Sequence, residues 1–547
     1  MIIDAFEEGE KASVEAWQSL VHVCQRWRSI VLESRLRLNL QLYCTSETPA
    51  RDKLDVWPAL PLIVGGRIFS SGRGNIIAAL GQANRVCQVD LWDLTDWQSE
   101  RILAAMQVPF PELTGLLLHS NGEVPVIPDS FLGGSAPRLR SFVLIGIPFP
   151  GLTKPLSSAT HIVHLRLSNI PHSGYISPKA MIALLSVLSS LKSLILYFRS
   201  PQSRPNWETP SLPPLKRSIL PALTRLDFKG VTEYLEELVI GIDTPQLDSL
   251  FIIFFNQIDF DIQQLAQFIN RTPRALDEAY VQFDDDSARV ELFTASSQIP
   301  NFIIAISCRE PDWQLSSIVQ VCNSSLDFLS MVEDFYIDHR YWQTGWKNDA
   351  IENTLWLQLL LPFTAAKNLY LSKEFSPGIV AALQELVEGR ITEVLPGLRN
   401  IFVEGLEPTG PFQENIGWIV AARRLSGHPI AISDWDDAGS ERAGGFVAER
   451  SDSDNEEDAE NDMVVPLAHW HTPAGSSNPT TRSASATQPG GKSNPDRATE
   501  GTTALGSSIG GSVDSGGSAA GALPEQGTET SSNEKVVTLV KPYSDEV

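Results

Sequence analysis

One apolar spacing constrains this chain more than any other feature: apolar-x-x-apolar-x-apolar returns along most of its length. It stands at Val86-Val89-Leu91, Leu113-Leu116-Leu118, Leu139-Phe142-Leu144, Ile162-Leu165-Leu167, Leu191-Leu194-Leu196, Leu223-Leu226-Phe228 and Leu247-Leu250-Ile252. Later copies are Leu276-Ala279-Val281, Val332-Phe335-Ile337, Ala366-Leu369-Leu371 and Leu398-Ile401-Val403, with a degenerate strand near Phe302 to Ser307. The closing alternation of each copy is that of a strand with one buried face. Pro111, Pro137, Pro221, Pro245 and Pro396 each stand two residues ahead of a copy, where proline ends the preceding element and sets up extended chain. A single copy reads as an ordinary buried strand, but recurrence in phase reads as an array of units.

Helices are expected between the strands. Ser177-Pro178 and Ser376-Pro377 are N-cap and first-turn pairs, followed at helical spacing by Met181, Leu184, Leu185 and Leu188 and by Ile379, Val380, Leu383 and Val387. Asp259 to Ile269, Leu315 to Cys322 and Thr354 to Leu361 are further helical stretches. A strand, a turn and a helix every 23 to 34 residues is the leucine-rich-repeat plan, in which each unit buries its apolar edge against its neighbours. The expected fold is therefore α/β: N-terminal helices, an irregular leucine-rich-repeat solenoid with a parallel concave sheet, and a disordered C-terminal tail. A doubly wound parallel sheet would show the same alternation, but it calls for a glycine-rich phosphate loop. Gly65-Gly66 and Gly72-Arg73-Gly74 lack the spacing of such a loop and read as turns.

Near the start, Trp17, Leu20, Val21, Val23, Cys24, Trp27, Ile30 and Val31 recur at three- and four-residue intervals, a helix burying one face. The string Val23-Cys24-Gln25-Arg26-Trp27-Arg28-Ser29-Ile30 resembles the closing helix of an F-box. F-boxes usually open with Leu-Pro and an amphipathic helix, whereas Met1-Ile2-Ile3-Asp4-Ala5-Phe6 looks like the end of that helix, so the resemblance covers about the first 35 residues. It implies docking onto the Skp adaptor of a cullin ubiquitin ligase through Ile3, Phe6, Trp17, Leu20, Val23, Cys24, Trp27 and Ile30. Leu40 to Cys44, Trp57 to Leu62, Cys308 to Gln314 and Ala421 to Pro429 are similar to strings of a large F-box family from mushroom-forming fungi. The domain organisation expected is a truncated F-box-like motif at 1–37, a linker or cap at 38–85, the solenoid at 86–436 and the tail at 437–547.

The formal net charge of -24 argues against nucleic acid and against anionic membrane surfaces as partners. No apolar run approaches the roughly 20 residues of a spanning helix, and no leader pattern opens the chain. The cysteines, Cys24, Cys44, Cys87, Cys308 and Cys322, are scattered without a Cys-x-x-Cys pair and read as buried thiols of a reducing compartment, cytosol or nucleus. Beyond Trp435 the composition turns acidic, then Gly-, Ser- and Thr-rich, too poor in large apolar groups to offset an ordering cost of about 1 to 2 kcal/mol per residue. Ser451 and Ser453 each have an acidic residue three positions on, which suits an acidophilic kinase, although a solvated stretch explains the run as well.

Catalytic patterns are missing from the sequence. There is no His-Glu-x-x-His, no Gly-x-Ser-x-Gly elbow within the solenoid and no EF-hand spacing around Asp284-Asp285-Asp286, which reads as a solvated loop, so no cofactor or metal is expected. Trp92, Trp97, Trp313, Trp342, Trp346, Trp356 and Trp418 read as core or ridge packing. The functional residues are expected on the concave face, where strand alternation puts Trp92, Leu117, Val143, Ile145, Arg166, Ile195, Tyr197, Arg225, Asp227, Phe251, Tyr336, Tyr370 and Phe402. An apolar, aromatic row of this kind suits a protein partner, unless the chain's own loops, such as Ser200 to Pro214, cover it. The expected role is a non-catalytic substrate receptor, the alternative a leucine-rich scaffold with a degenerate F-box.

Overall fold

A computed structural model describes residues 40–435, apart from 46–48, 58, 69–71, 95, 123–125, 150–155, 202–216, 272–275, 295–296, 298, 325, 340–351, 387–389, 391 and 407–410. The F-box-like stretch, the tail, Trp342 and Trp346 and nearly all of the Ser200 to Pro214 loop lie outside the described residues.

The apolar triplets become strands of one sheet, and every residue of every triplet is buried. In chain order the strands are β1 (Leu40–Tyr43), β2 (Leu62–Arg67), β3 (Val86–Trp92), β4 (Gly115–His119), β5 (Ser141–Ile145), β6 (His164–Ile170) and β7 (Ser193–Phe198). There follow β8 (Ser218–Ile219), β9 (Arg225–Gly230), β10 (Ile242–Asp243), β11 (Ser249–Phe255), β12 (Glu278–Phe283), β13 (Ser287–Phe293) and β14 (Phe302–Ser307). The last are β15 (Asp334–His339), β16 (Asn368–Leu371), β17 (Asn400–Val403) and β18 (Ala431–Asp434). All but β8 and β10, which pair with each other, form a 16-stranded sheet in the order β1-β2-β3-β4-β5-β6-β7-β9-β11-β14-β13-β12-β15-β16-β17-β18. The region 38–85 thus supplies the first two strands of the sheet itself.

Helices connect the strands: α1 (Ala50–Val56), α2 (Arg73–Leu80), α3 (Asp96–Ala105), α4 (Pro178–Leu185), α5 (Thr232–Gly241), α6 (Gln263–Asn270), α7 (Pro311–Cys322), α8 (Asn353–Leu360), α9 (Ser376–Gln384) and α10 (Pro411–Leu425). Neighbours along this series pack together, α4 on α5 on α6 and α7 on α8 on α9 on α10. Most units bury their apolar residues between strand and helix, the repeat plan read from the triplets, while the β4–β5 connection carries a 3-10 turn at Phe131–Gly134 in place of an α-helix.

The sheet departs from the expected all-parallel form at one place. After β11 the chain passes two positions along the sheet to lay down β12, then doubles back through β13 and β14 to rejoin β11. The β12–β13 and β13–β14 pairs are antiparallel, while β11–β14 and β12–β15 are parallel. The hairpin is possible because Asp284-Asp285-Asp286 forms its turn: the Asp284 N–H donates to the Ser287 carbonyl at 2.8 Å. Read as a solvated loop, this run is instead half-enclosed, with Asp284 held by Arg289 Nη2 at 2.9 Å. Buried Gln314 on α7 locks it in place, its Nε2 donating to the carbonyls of Asp284 at 2.8 Å and Cys308 at 2.7 Å.

Other local readings need correction. Gly65 and Gly66 lie inside β2, and a Cβ on Gly66 would stand 2.8 Å from the Cys44 carbonyl, so the glycine serves close strand approach and not a turn. Gly72-Arg73-Gly74 opens α2. Ser177 caps α4 as expected, accepting from the Ala180 N–H at 3.3 Å, but Ser376 sits within α9 behind Phe375, its hydroxyl donating to the Lys373 carbonyl at 3.2 Å. The α7 helix starts at Pro311, a first-turn proline four residues earlier than the apolar spacing indicates.

Candidate functional site: the open face of the sheet

Residues between the buried strand positions stand on the face of the sheet away from the packed apolar positions, and strand register joins them into rows. One row crosses the whole sheet: Tyr43, Gly65, Asp90, Leu117, Val143, Arg166, Ile195, Asp227, Phe251, Ile303, Glu291, Tyr280, Tyr336, Tyr370, Phe402 and Ser433. Of the expected partner residues, Leu117, Val143, Ile195, Phe251, Tyr336, Tyr370 and Phe402 lie in this row. Ile145 and Tyr197 lie one row further along the strands, and Arg225 one row before. All but exposed Arg225 are half-buried. The expected adaptor residues Ile3, Phe6, Trp17, Leu20, Val23, Cys24, Trp27 and Ile30 lie outside the described residues.

Two parts of this face differ in chemistry. At its centre Arg225 grips Asp227 through Nε and Nη2, the closest contact being 2.7 Å, and the Asp227 side chain is 1% exposed. The two residues are separated by two positions on one strand, so their side chains share a face. Burial pulls the Arg166 guanidinium below its usual pKa, opposed by Tyr197 and Asp227, and its Nε donates to Ser168 Oγ at 3.0 Å. Burial, reinforced by Asp227, pushes the Tyr197 phenol up. Lys229 Nζ stands 5.7 Å from the centre of the Phe255 ring, and burial lowers its pKa while Asp286 opposes the change.

Toward β18 the face is aromatic. Tyr280 and Tyr336 stack with ring centroids 4.1 Å apart and planes 1° from parallel, Tyr336 and Tyr370 at 4.1 Å and 8°, and Tyr370 and Phe402 at 4.6 Å and 11°. The cause is register: side chains of one row on neighbouring strands stand about 4.8 Å apart, a spacing at which parallel rings stack. Trp435 tilts against Tyr336 and Tyr370 at 6.0 and 5.8 Å, and Phe293 meets Tyr280 edge-on at 5.1 Å. Beside the rings runs a polar ladder, Asn400 Nδ2 donating to Asn368 Oδ1 at 2.7 Å and Asn368 Nδ2 to Asp334 Oδ1 at 2.5 Å.

Sequence reasoning missed Tyr280, Glu291, Ile303, Phe293 and Trp435. Tyr280 was accessible to it, standing between Ala279 and Val281 of a recognised copy. Glu291 belongs to β13, whose alternation Ala288-Val290-Leu292 is readable but lies outside the triplet pattern. Among the tryptophans, Trp356 is core, Trp92 packs on His119 with centroids 5.0 Å apart, and Trp313 and Trp418 are exposed on α7 and α10 and not packed as expected. Cys44, Cys87, Cys308 and Cys322 are free and buried, and burial pushes Cys44 and Cys322 up to about 12. Among the described residues no helix is long and apolar enough to cross a membrane, and no group of three or more His, Cys, Asp or Glu is placed to hold a metal ion.

No protein-family profile matches the chain, and no curated protein matches it. Among solved structures it is similar to the leucine-rich repeat-containing protein LegL7 from Legionella pneumophila, at 13% identity over 72% of this chain and 99% of that one, with a TM-score of 0.24.

Proposed function

We propose that the chain is a non-catalytic substrate receptor of a cullin ubiquitin ligase. In this reading the F-box-like helix around Val23 to Ile30 docks the Skp adaptor, and the open face of the sheet holds a protein to be ubiquitinated, in the cytosol or nucleus. The observation that carries it is the register-aligned row along that face, in which half-buried apolar side chains from Leu117 to Phe251 are interrupted by Arg166 and Asp227 and give way to the stacked rings of Tyr280, Tyr336, Tyr370 and Phe402. Solvent alone gives no reason to line a surface with stacked rings, whereas protein interfaces are enriched in aromatic anchors. The F-box part rests on the sequence string. The second reading is an interaction scaffold on the same face with a degenerate F-box and no ligase role.

Co-purification of the full chain with the Skp adaptor tests the choice. Trp27→Ala removes a large aromatic, a loss of about 3 to 5 kcal/mol where such a side chain is core, and is expected to abolish adaptor capture. Capture at wild-type strength by this variant would remove the F-box reading, and no capture by wild type would favour the scaffold. Replacing Tyr197, Phe251 and Tyr370 together by Ser is expected to abolish partner capture while adaptor binding persists.

A further inference from the structure

Cations stand on the open face where its apolar row is interrupted. Arg166 lies between Val143 and Ile195, and Lys229 is paired with Tyr197 in the neighbouring row. Lys229 is 9% exposed, and its ammonium forms no hydrogen bond or ion pair with the described residues. The Phe255 ring, centred 5.7 Å away, replaces only part of the hydration that a buried charge loses. Asp286 acts on this lysine from beyond ion-pair distance.

Arg166 is in a similar position. Its Nε donates to Ser168 Oγ at 3.0 Å, and among the described residues no carboxylate forms an ion pair with the guanidinium. Asp227, the carboxylate that acts on it, is already held by Arg225 at 2.7 Å. Arg166, Arg225 and Lys229 therefore gather around a carboxylate whose charge one of them already balances, although the whole chain carries a formal net charge of -24. A methionine at position 229 would fill similar space without the cost of desolvating an ammonium. That cost is offset when a partner brings the missing acceptor.

We propose that the centre of the open face receives an aspartate or glutamate carboxylate of a protein partner, seated between Arg166 on β6 and Lys229 on β9, with apolar residues of the partner on either side. The inference rests on reading the open face as a protein-binding surface and adds the group that fixes the partner's register on it. Strands β6 and β9 flank β7 and so lie about 10 Å apart, a gap that two long side chains close onto one carboxylate. Val143 and Ile195 beside Arg166, and Phe251 beyond Asp227, supply the apolar contacts. The Asp227 carboxylate disfavours a doubly charged phosphate more than a singly charged carboxylate.

The test uses the full chain and labelled peptides of about nine residues in which a central glutamate has leucine two residues away on each side, with glutamine, lysine and phosphoserine counterparts. Binding is read by fluorescence polarisation at low and physiological salt. Glutamate is expected to bind about fivefold tighter than glutamine, tighter than phosphoserine and lysine, and with a preference that shrinks as salt rises. Arg166→Met and Lys229→Met should each erase that preference. Lys229→Met should do so without lowering the melting temperature, since it removes a buried charge that lacks an acceptor. If Arg166→Met fails to fold, Lys229→Met alone decides. Equal binding of glutamate and glutamine, no binding of any peptide, tighter binding of phosphoserine, or a preference that survives Lys229→Met would overturn the proposal. Partner capture separates it from the reading it rests on. Capture kept by Lys229→Met but lost in the Tyr197, Phe251, Tyr370 triple variant removes only the carboxylate site, whereas capture kept by the triple variant removes the face itself.

Discussion

Arg225 closes on Asp227 through two of its nitrogens, and the carboxylate so held is almost wholly buried while the guanidinium that holds it stays half-exposed. The pair is asymmetric, and so are the consequences of breaking it. Arg225→Met leaves a buried carboxylate without its counter-charge and should cost about 2 to 4 kcal/mol, below the figure for a fully buried pair because solvent reaches the arginine. Asp227→Asn keeps the shape and removes the charge, and should cost less. Urea denaturation of both variants and the double variant checks the order.

The carboxyl of Asp338 gives a pH signature. Burial, joined by Glu404 and Glu374, pushes its pKa up to about 6 against the opposing His339 N–H and ring. The unfolded chain releases this proton near pH 4, so between about pH 4 and 6 the folded state holds more protons and stability falls as pH rises. Asp338→Asn should therefore raise the melting temperature at about pH 7.5 and leave it unchanged near pH 3.5, where both residues are neutral. A gain of equal size at both pH values would contradict the assignment.

Gln314, itself buried, ties the hairpin turn to the end of β14 by donating to the carbonyls of Asp284 and Cys308. Gln314→Ala leaves them unpaired and should cost about 1 to 3 kcal/mol, with faster amide exchange concentrated in β12 and β13. Uniform acceleration across the sheet would mean that the glutamine is not a local clasp.

Gly146 follows β5 at φ +71°, and a Cβ built on it would stand 2.1 Å from the Ser120 carbonyl. Backbone cannot yield as a side-chain tip does, so Gly146→Ala should destabilise by about 3 to 5 kcal/mol. Gly405, also at positive φ but with open space around it, should tolerate alanine at about 1 kcal/mol. Thermal unfolding of the two variants side by side separates close approach from backbone preference.

Much of the architecture was legible because its signal is local. Each triplet states which residues face inward, and alternation then states which face outward, so Tyr336, Tyr370 and Phe402 could be assigned to one face without knowing that they stack. Even the Arg225–Asp227 pair is implicit in their two-residue separation. The reversal of β12, β13 and β14 was not legible, since alternation is the same for parallel and antiparallel strands and says nothing of neighbours. The row stayed incomplete in consequence: Ile303 and Glu291 enter it through strands whose order only long-range pairing decides, whereas Tyr280 was readable from its own copy. Asp338 was missed for a different reason, because a lone acidic residue at a strand end looks solvated until its surroundings are known.

The doubled-back strands have a bearing on how the molecule comes apart. In a simple stack of repeats, loss can travel from one unit to the next, each step needing only the energy of one interface. Here β12 joins the sheet before the two strands that fill the space between it and β11, and the connection through α6 passes the same stretch of sheet that the connection through α7 must pass. Neither can leave without opening the other, which makes this block a cooperative clasp. Pulled from its ends, the described part of the chain would shed units from both sides freely and then halt at a single high-force event, the rupture of β13.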